Sequence, residues 1–77
     1  MECFISQILL VPFDYTPEYF APCNGSLLSI HNNEALFSLI GTKFGGDAKS
    51  TFALPNLTAP AGLHYIICTN GIYPSRP

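Results

Sequence analysis

A chain of 77 residues has room for one domain and one small core, which by itself contributes only about 3–5 kcal/mol. It is 48% hydrophobic and 10% charged, against roughly 25% charged in an average globular protein. A small chain should be the more polar one, so this deficit points to apolar surface covered by other copies of itself. The net charge is −2, and Lys43, Lys49 and Arg76 are its three basic residues. They cannot neutralise a run of phosphates or hold an anionic membrane surface, so neither nucleic acid nor membrane insertion is expected as a partner. No segment approaches the ~20 apolar residues of a membrane span. The N-terminus lacks the basic region and long apolar run of a secretory signal peptide, so none is expected.

In chain order, the stretch from Cys3 to Val11 contains Ile8-Leu9-Leu10-Val11 without a polar break. Side chains alternate across a strand, so this run is apolar on both faces and predicts a strand in the middle of layers. Pro12 to Pro22 reads as a loop rich in proline and aromatics, and Asn24-Gly25 as a tight turn. Leu27 to Ile30 is a short strand. Asn32 suits a helix N-cap and Glu34 the first turn, with Leu36, Leu39 and Ile40 on one face and Gly41 as the stop. Gly45-Gly46-Asp47 turns the chain into an extended Thr51–Leu54 that ends at Pro55. Residues 56–62 connect to a last strand, Leu63 to Cys68. Asn70-Gly71 then turns into Ile72-Tyr73-Pro74. The expected fold class is mainly β with one short α-helix.

Chemistry is sparse. His31 and His64 are the only histidines, too few for the three or four ligands of a stable metal site, so no metal or cofactor is expected. Residues 45–50 lack the glycines that a phosphate loop would need at positions 43 and 48. No serine sits in a nucleophile elbow, and Glu2, Asp14, Glu18, Glu34 and Asp47 form no evident catalytic pair. Asn24-Gly-Ser26 and Asn56-Leu-Thr58 match the glycosylation pattern, but both fall in turns that have their own use for those residues. An enzyme is not expected.

Three stretches carry a family likeness in order and spacing: residues 20–25 (Phe-Ala-Pro-Cys-Asn-Gly), residues 33–42 (Asn-Glu-Ala-Leu-Phe-Ser-Leu-Ile-Gly-Thr), and Phe-Gly-Gly-Asp at 44–47 followed by Thr-Phe-Ala-Leu-Pro-Asn-Leu at 51–57. Together they resemble the phage tail-collar domain, also found in microcystin-dependent proteins. The likeness divides one domain, 1–77, into a collar motif at 1–57, a shortened connection at 58–62, and a C-terminal strand and tail at 63–77. Family members usually carry glycine where Tyr19 and Ala48 stand, tryptophan at Phe20, and aspartate at Asn56. Larger members also insert a region before the last strand. Here only residues 58–62 fill that gap, so receptor and metal binding are not carried over.

What the resemblance implies is a collar intertwined in a homo-oligomer, threefold by family analogy, while an open head-to-tail polymer is equally allowed by the physics. Such a protein is a structural, self-assembling fibre or filament module of an extracellular fibre or phage virion. Phe4, Ile8, Leu10, Tyr65, Ile66 and Ile67 are the residues expected near subunit contacts. Gly25, Gly41, Gly45, Gly46 and Asp47 are the expected structural turns, and Asn56 is placed to bond loop backbone. Cys3 and Cys68 replace residues usually alanine in the family. They could be joined if the first and last strands meet, within one subunit or between two, reduced thiols being the alternative. A second reading is a glycan- or receptor-binding module at a fibre tip, with Tyr15, Tyr19, Phe20 and Tyr73 stacking on sugar rings.

Overall fold

The computed structural model describes residues 3–75. Six elements follow one another: β1 (Ile8–Val11), β2 (Phe20–Pro22), β3 (Leu27–Ser29), α1 (Glu34–Ile40), β4 (Thr51–Ala53) and β5 (His64–Cys68). The fold is mainly β, with two small antiparallel sheets and one short helix. One sheet has the order β1-β5-β2 and the other pairs β3 with β4.

The most apolar run of the chain is therefore not its central strand. β1 lies at an edge, with Ile8 and Leu10 exposed and Leu9 and Val11 half-buried. The centre belongs to β5, which pairs with β1 through Ile8↔Ile67 to Val11↔His64 and with β2 through Phe20↔Cys68 to Pro22↔Ile66. β5 is apolar on both faces too, and it uses both. Ile67 joins Ile5, Cys23, Leu36, Phe52 and Leu54 in the main core. Ile66 and Cys68 face the other way into a smaller core with Cys3 and Phe20. Two candidate strands had the same pattern, and the pairing partners alone decided which went to the middle.

The helix fixes the main core. Leu36 is fully buried against fully buried Phe52 of β4, and Phe37 meets the Phe52 ring edge-on at 5.4 Å. Burying each of these large side chains contributes roughly 1.5–3 kcal/mol. The N-cap is Asn33, one residue later than the sequence pattern suggests, and its side chain makes no cap bond. Its amide group instead donates to the Ser29 carbonyl at 2.9 Å, so it ties the helix start back to β3. Gly41 ends the helix with a left-handed φ of 55° while its amide donates to the Phe37 carbonyl at 2.7 Å.

Two non-glycine residues take left-handed backbone angles where the resembled family carries glycine: Tyr19 (φ 74°) and Ala48 (φ 64°). A left-handed conformation costs an L-residue about 1–2 kcal/mol, and glycine gives part of that back as unfolded-state entropy. Ala48→Gly is accordingly expected to stabilise the chain by up to about 1 kcal/mol, read as a rise of several degrees in the thermal midpoint by circular dichroism. An unchanged or lowered midpoint would show that the turn bears no such strain.

Candidate assembly surface

The six residues expected at subunit contacts fall into two groups. Phe4, Ile8 and Leu10 are exposed at 53%, 40% and 43%. Phe4 bridges to Ile72, itself exposed, through a short parallel contact, and these two with Cys3 and Gln7 line a cleft of about 310 Å³. Ile66 and Ile67 are a correction. At 2% and 1% exposure they are enclosed by the chain's own two cores, because the central strand has neighbours on both edges and side chains over both faces. A charge at Ile66 would thus disrupt folding before it could report on assembly. Tyr65 is half-buried against the main core.

Phe20, expected among exposed aromatics, is likewise buried, at 8%. It starts β2 and points into the smaller core. Tyr15, Tyr19 and Tyr73 are exposed, but they belong to different surroundings. Tyr15 stacks on Phe13 at 4.6 Å, Tyr19 accepts bonds from Thr69 at the end of β5, and the Tyr73 hydroxyl meets Ser38 of the helix at 2.8 Å.

Cys3 and Cys68 are joined by a disulfide within one chain, across 65 residues and a Cα separation of 6.3 Å. The segment after β5 closes over it. The Ile72 amide donates to the Cys3 carbonyl at 2.8 Å, and the Ile5 amide to the Ile72 carbonyl at 2.9 Å. Gly71 has to be glycine for this: a Cβ there would overlap the Cys3 carbonyl. That requirement was invisible in a lone Asn-Gly pair. Cys23 is free and buried, and burial pushes its thiol up, away from the reactive thiolate.

The turns behave as electrostatic and steric devices. Asp47 Oδ1 accepts from the amides of Lys49, Ser50 and Thr51 at 2.8–3.0 Å. Bonds from Thr51, Ser50 and Lys49, in that order of weight, hold its carboxyl well below the usual carboxylate range. Gly46 permits the close pass, since a Cβ there would strike the Phe52 backbone. At Gly25 an added Cβ would meet Asn56 at 3.4 Å, and Gly45 sits against Ala53. Asn56 bridges to Asn24 through backbone. His64 Nε2 lies 3.4 Å from Asp14 Oδ1 at the surface, and among the described residues no cluster of acidic, histidine or cysteine side chains is set to hold a metal. No described helix is long and apolar enough to cross a membrane.

Two outcomes follow from this geometry. Reducing the disulfide should lower unfolding free energy by about 4 kcal/mol, the loop-closure value for a ring of this size. Urea titrations with and without a phosphine reductant measure it, and coincident curves would mean the cross-link stabilises nothing. Asp47→Ala should lower the urea midpoint at neutral pH. Because the folded carboxyl is held below its unfolded value of about 3.9, the deficit should stay constant above that range. It should shrink as the pH falls below it, because the unfolded carboxyl takes up a proton there while the native one still resists, and vanish once the native carboxyl is protonated too. A deficit independent of pH down to the acid limit would assign the loss to something other than the charged acceptor.

No curated protein matches the chain. The model of the phage tail collar domain matches residues 6–62, which takes in β1, β2, β3, the helix and β4 but stops before β5. With most of its length in that match, and with the glycine-rich turns and helix of the motif in place, the chain belongs to the phage tail collar domain family.

Proposed function

We propose that the protein is a self-assembling structural module that builds a homo-oligomeric phage tail fibre or filament, and that it acts through packing and not through catalysis. The family is a structural one of phage tail fibres, which supports the role and a place in the virion. The observation that carries the assembly is the amount of large apolar surface left outside. Phe4, Ile8, Leu10, Leu27, Phe44 and Ile72 are each at least 40% exposed in a chain with eight charged side chains. A soluble monomer seldom leaves so much uncovered, and further copies of the same chain would cover it. The short connection at 58–62 carries no inserted region before the last strand, which favours a module that extends or joins a fibre.

Size-exclusion chromatography with light scattering, followed by negative-stain electron microscopy at several concentrations, tests this. Discrete oligomers or uniform filaments that grow with concentration are expected. A monodisperse monomer up to millimolar concentration would refute the assembly.

A further inference from the structure

Four strand edges border the two sheets, and the chain closes three of them wholly or in part with its own groups. On the outer side of β4, the Thr51 amide donates to Asp47, the Thr51 carbonyl accepts from Ala48, and the Ala53 amide donates to the Gly45 carbonyl. On β3 the Ser29 carbonyl is taken by Asn33. On β2 the outward positions are Phe20, whose amide donates to the Pro17 carbonyl, and Pro22, which has no amide hydrogen.

β1 is different. The Cys68 amide donates to the Gln7 carbonyl and the Ser6 amide to the Cys68 carbonyl, a bulge that sets the phase of the ladder. Leu9 and Val11 therefore turn their backbone groups toward β5, and Ile8 and Leu10 turn theirs outward. Among the described residues no hydrogen bond reaches those outward groups. The edge also lacks the usual protection: there is no lysine or proline within Ile8–Val11.

We infer that the β1 edge is the joining surface, and that its occupant is β1 of a second copy, paired antiparallel about a twofold axis. The inference rests on the self-assembly proposed above and supplies one of its joints: a twofold pairing closes on two copies, and extension beyond them uses the remaining exposed apolar surface. The edge is self-complementary. With Leu9 opposite Leu9 of the second copy, Ile8 of each chain exchanges both backbone bonds with Leu10 of the other, which gives four bonds and a six-stranded sheet. The same pairing sets the exposed Ile8 and Leu10 side chains against each other on one face. Charge also selects a like partner. Residues 3–13 carry none, so two copies meet without repulsion, whereas a charged strand would lose solvation and gain no counter-charge. In this register Pro12 and Phe13 of the second copy run toward the cleft lined by Phe4, Gln7 and Ile72. A four-residue edge covers well under the ~800 Å² per partner of a standard interface, so that added cover matters and the pairing depends on concentration.

Sedimentation velocity over a concentration series, with the disulfide intact, tests the inference on Leu10→Lys and Leu10→Pro. The first places a charge at the joint. The second removes an outward donor together with the leucine side chain and spares the β5 ladder. Each should weaken self-association at least tenfold while thermal unfolding stays cooperative, and Thr42→Lys, at an exposed position after the helix and outside the apolar surface, should leave it unchanged. Amide hydrogen exchange gives an independent readout: Ile8 and Leu10 exchange freely in dilute protein and become protected on assembly. Parent-like assembly of both Leu10 variants, or no new protection at Ile8 and Leu10, would overturn the edge pairing and leave the assembly proposal standing. A parent chain that never associates would overturn both.

Discussion

The fold hangs on β5 being hydrogen-bonded along both edges. His64, Ile66 and Cys68 turn their backbone groups to β1, and Tyr65 and Ile67 turn theirs to β2. This places Ile67 in one core and Ile66 in the other, so two small hydrophobic clusters share a single strand. For a chain of this length neither cluster would suffice by itself. The disulfide from Cys68 to Cys3 then ties the start of the chain to the same strand. Loss of β5 would uncouple both cores and both ends, which is why its side chains serve the fold before they can serve an interface.

Around that strand the remaining segments mostly close edges. Asp47, Gly45, Ala48, Asn33 and Pro17 each supply a bond that a further strand would otherwise supply. The work done by the Gly-Gly-Asp turn is thus less to bend the chain than to finish the outer side of β4. The tight approach at Gly46 and the carboxylate at Asp47 serve one end: three amides that cannot reach a strand reach a single oxygen. An isolated small sheet is vulnerable along its rims. The chain covers the other edges wholly or in part with its own groups and leaves the β1 edge bare.

Much of this was legible in the residues. The turn at Asn24-Gly25, the Gly41 stop, the helical face of Leu36, Leu39 and Ile40, and the collar motif all depend on local chemistry that neighbouring residues settle among themselves. The burial of Phe20, the enclosure of Ile66 and Ile67, and the edge position of β1 were not legible. Each depends on which of two segments with apolar residues on both faces found partners on both sides, and apolarity does not encode that choice. Gly71 was missed for a related reason. Its need for a missing Cβ comes from Cys3, 68 positions away in the sequence.

The sequence by itself determined the class of the protein: a small, mainly β fold, short of charge, carrying the collar motif, with Cys3 and Cys68 far apart along the chain. Those properties follow from composition and from short-range turn and capping chemistry. Only the tertiary structure decided that the cysteines bond within one chain, that the last strand takes the centre, and that Ile8 and Leu10 present unbonded backbone to solvent. Pairing partners and ladder phase are long-range properties. A shift of a single residue in register reverses which groups face outward, and no local pattern of residues records that register.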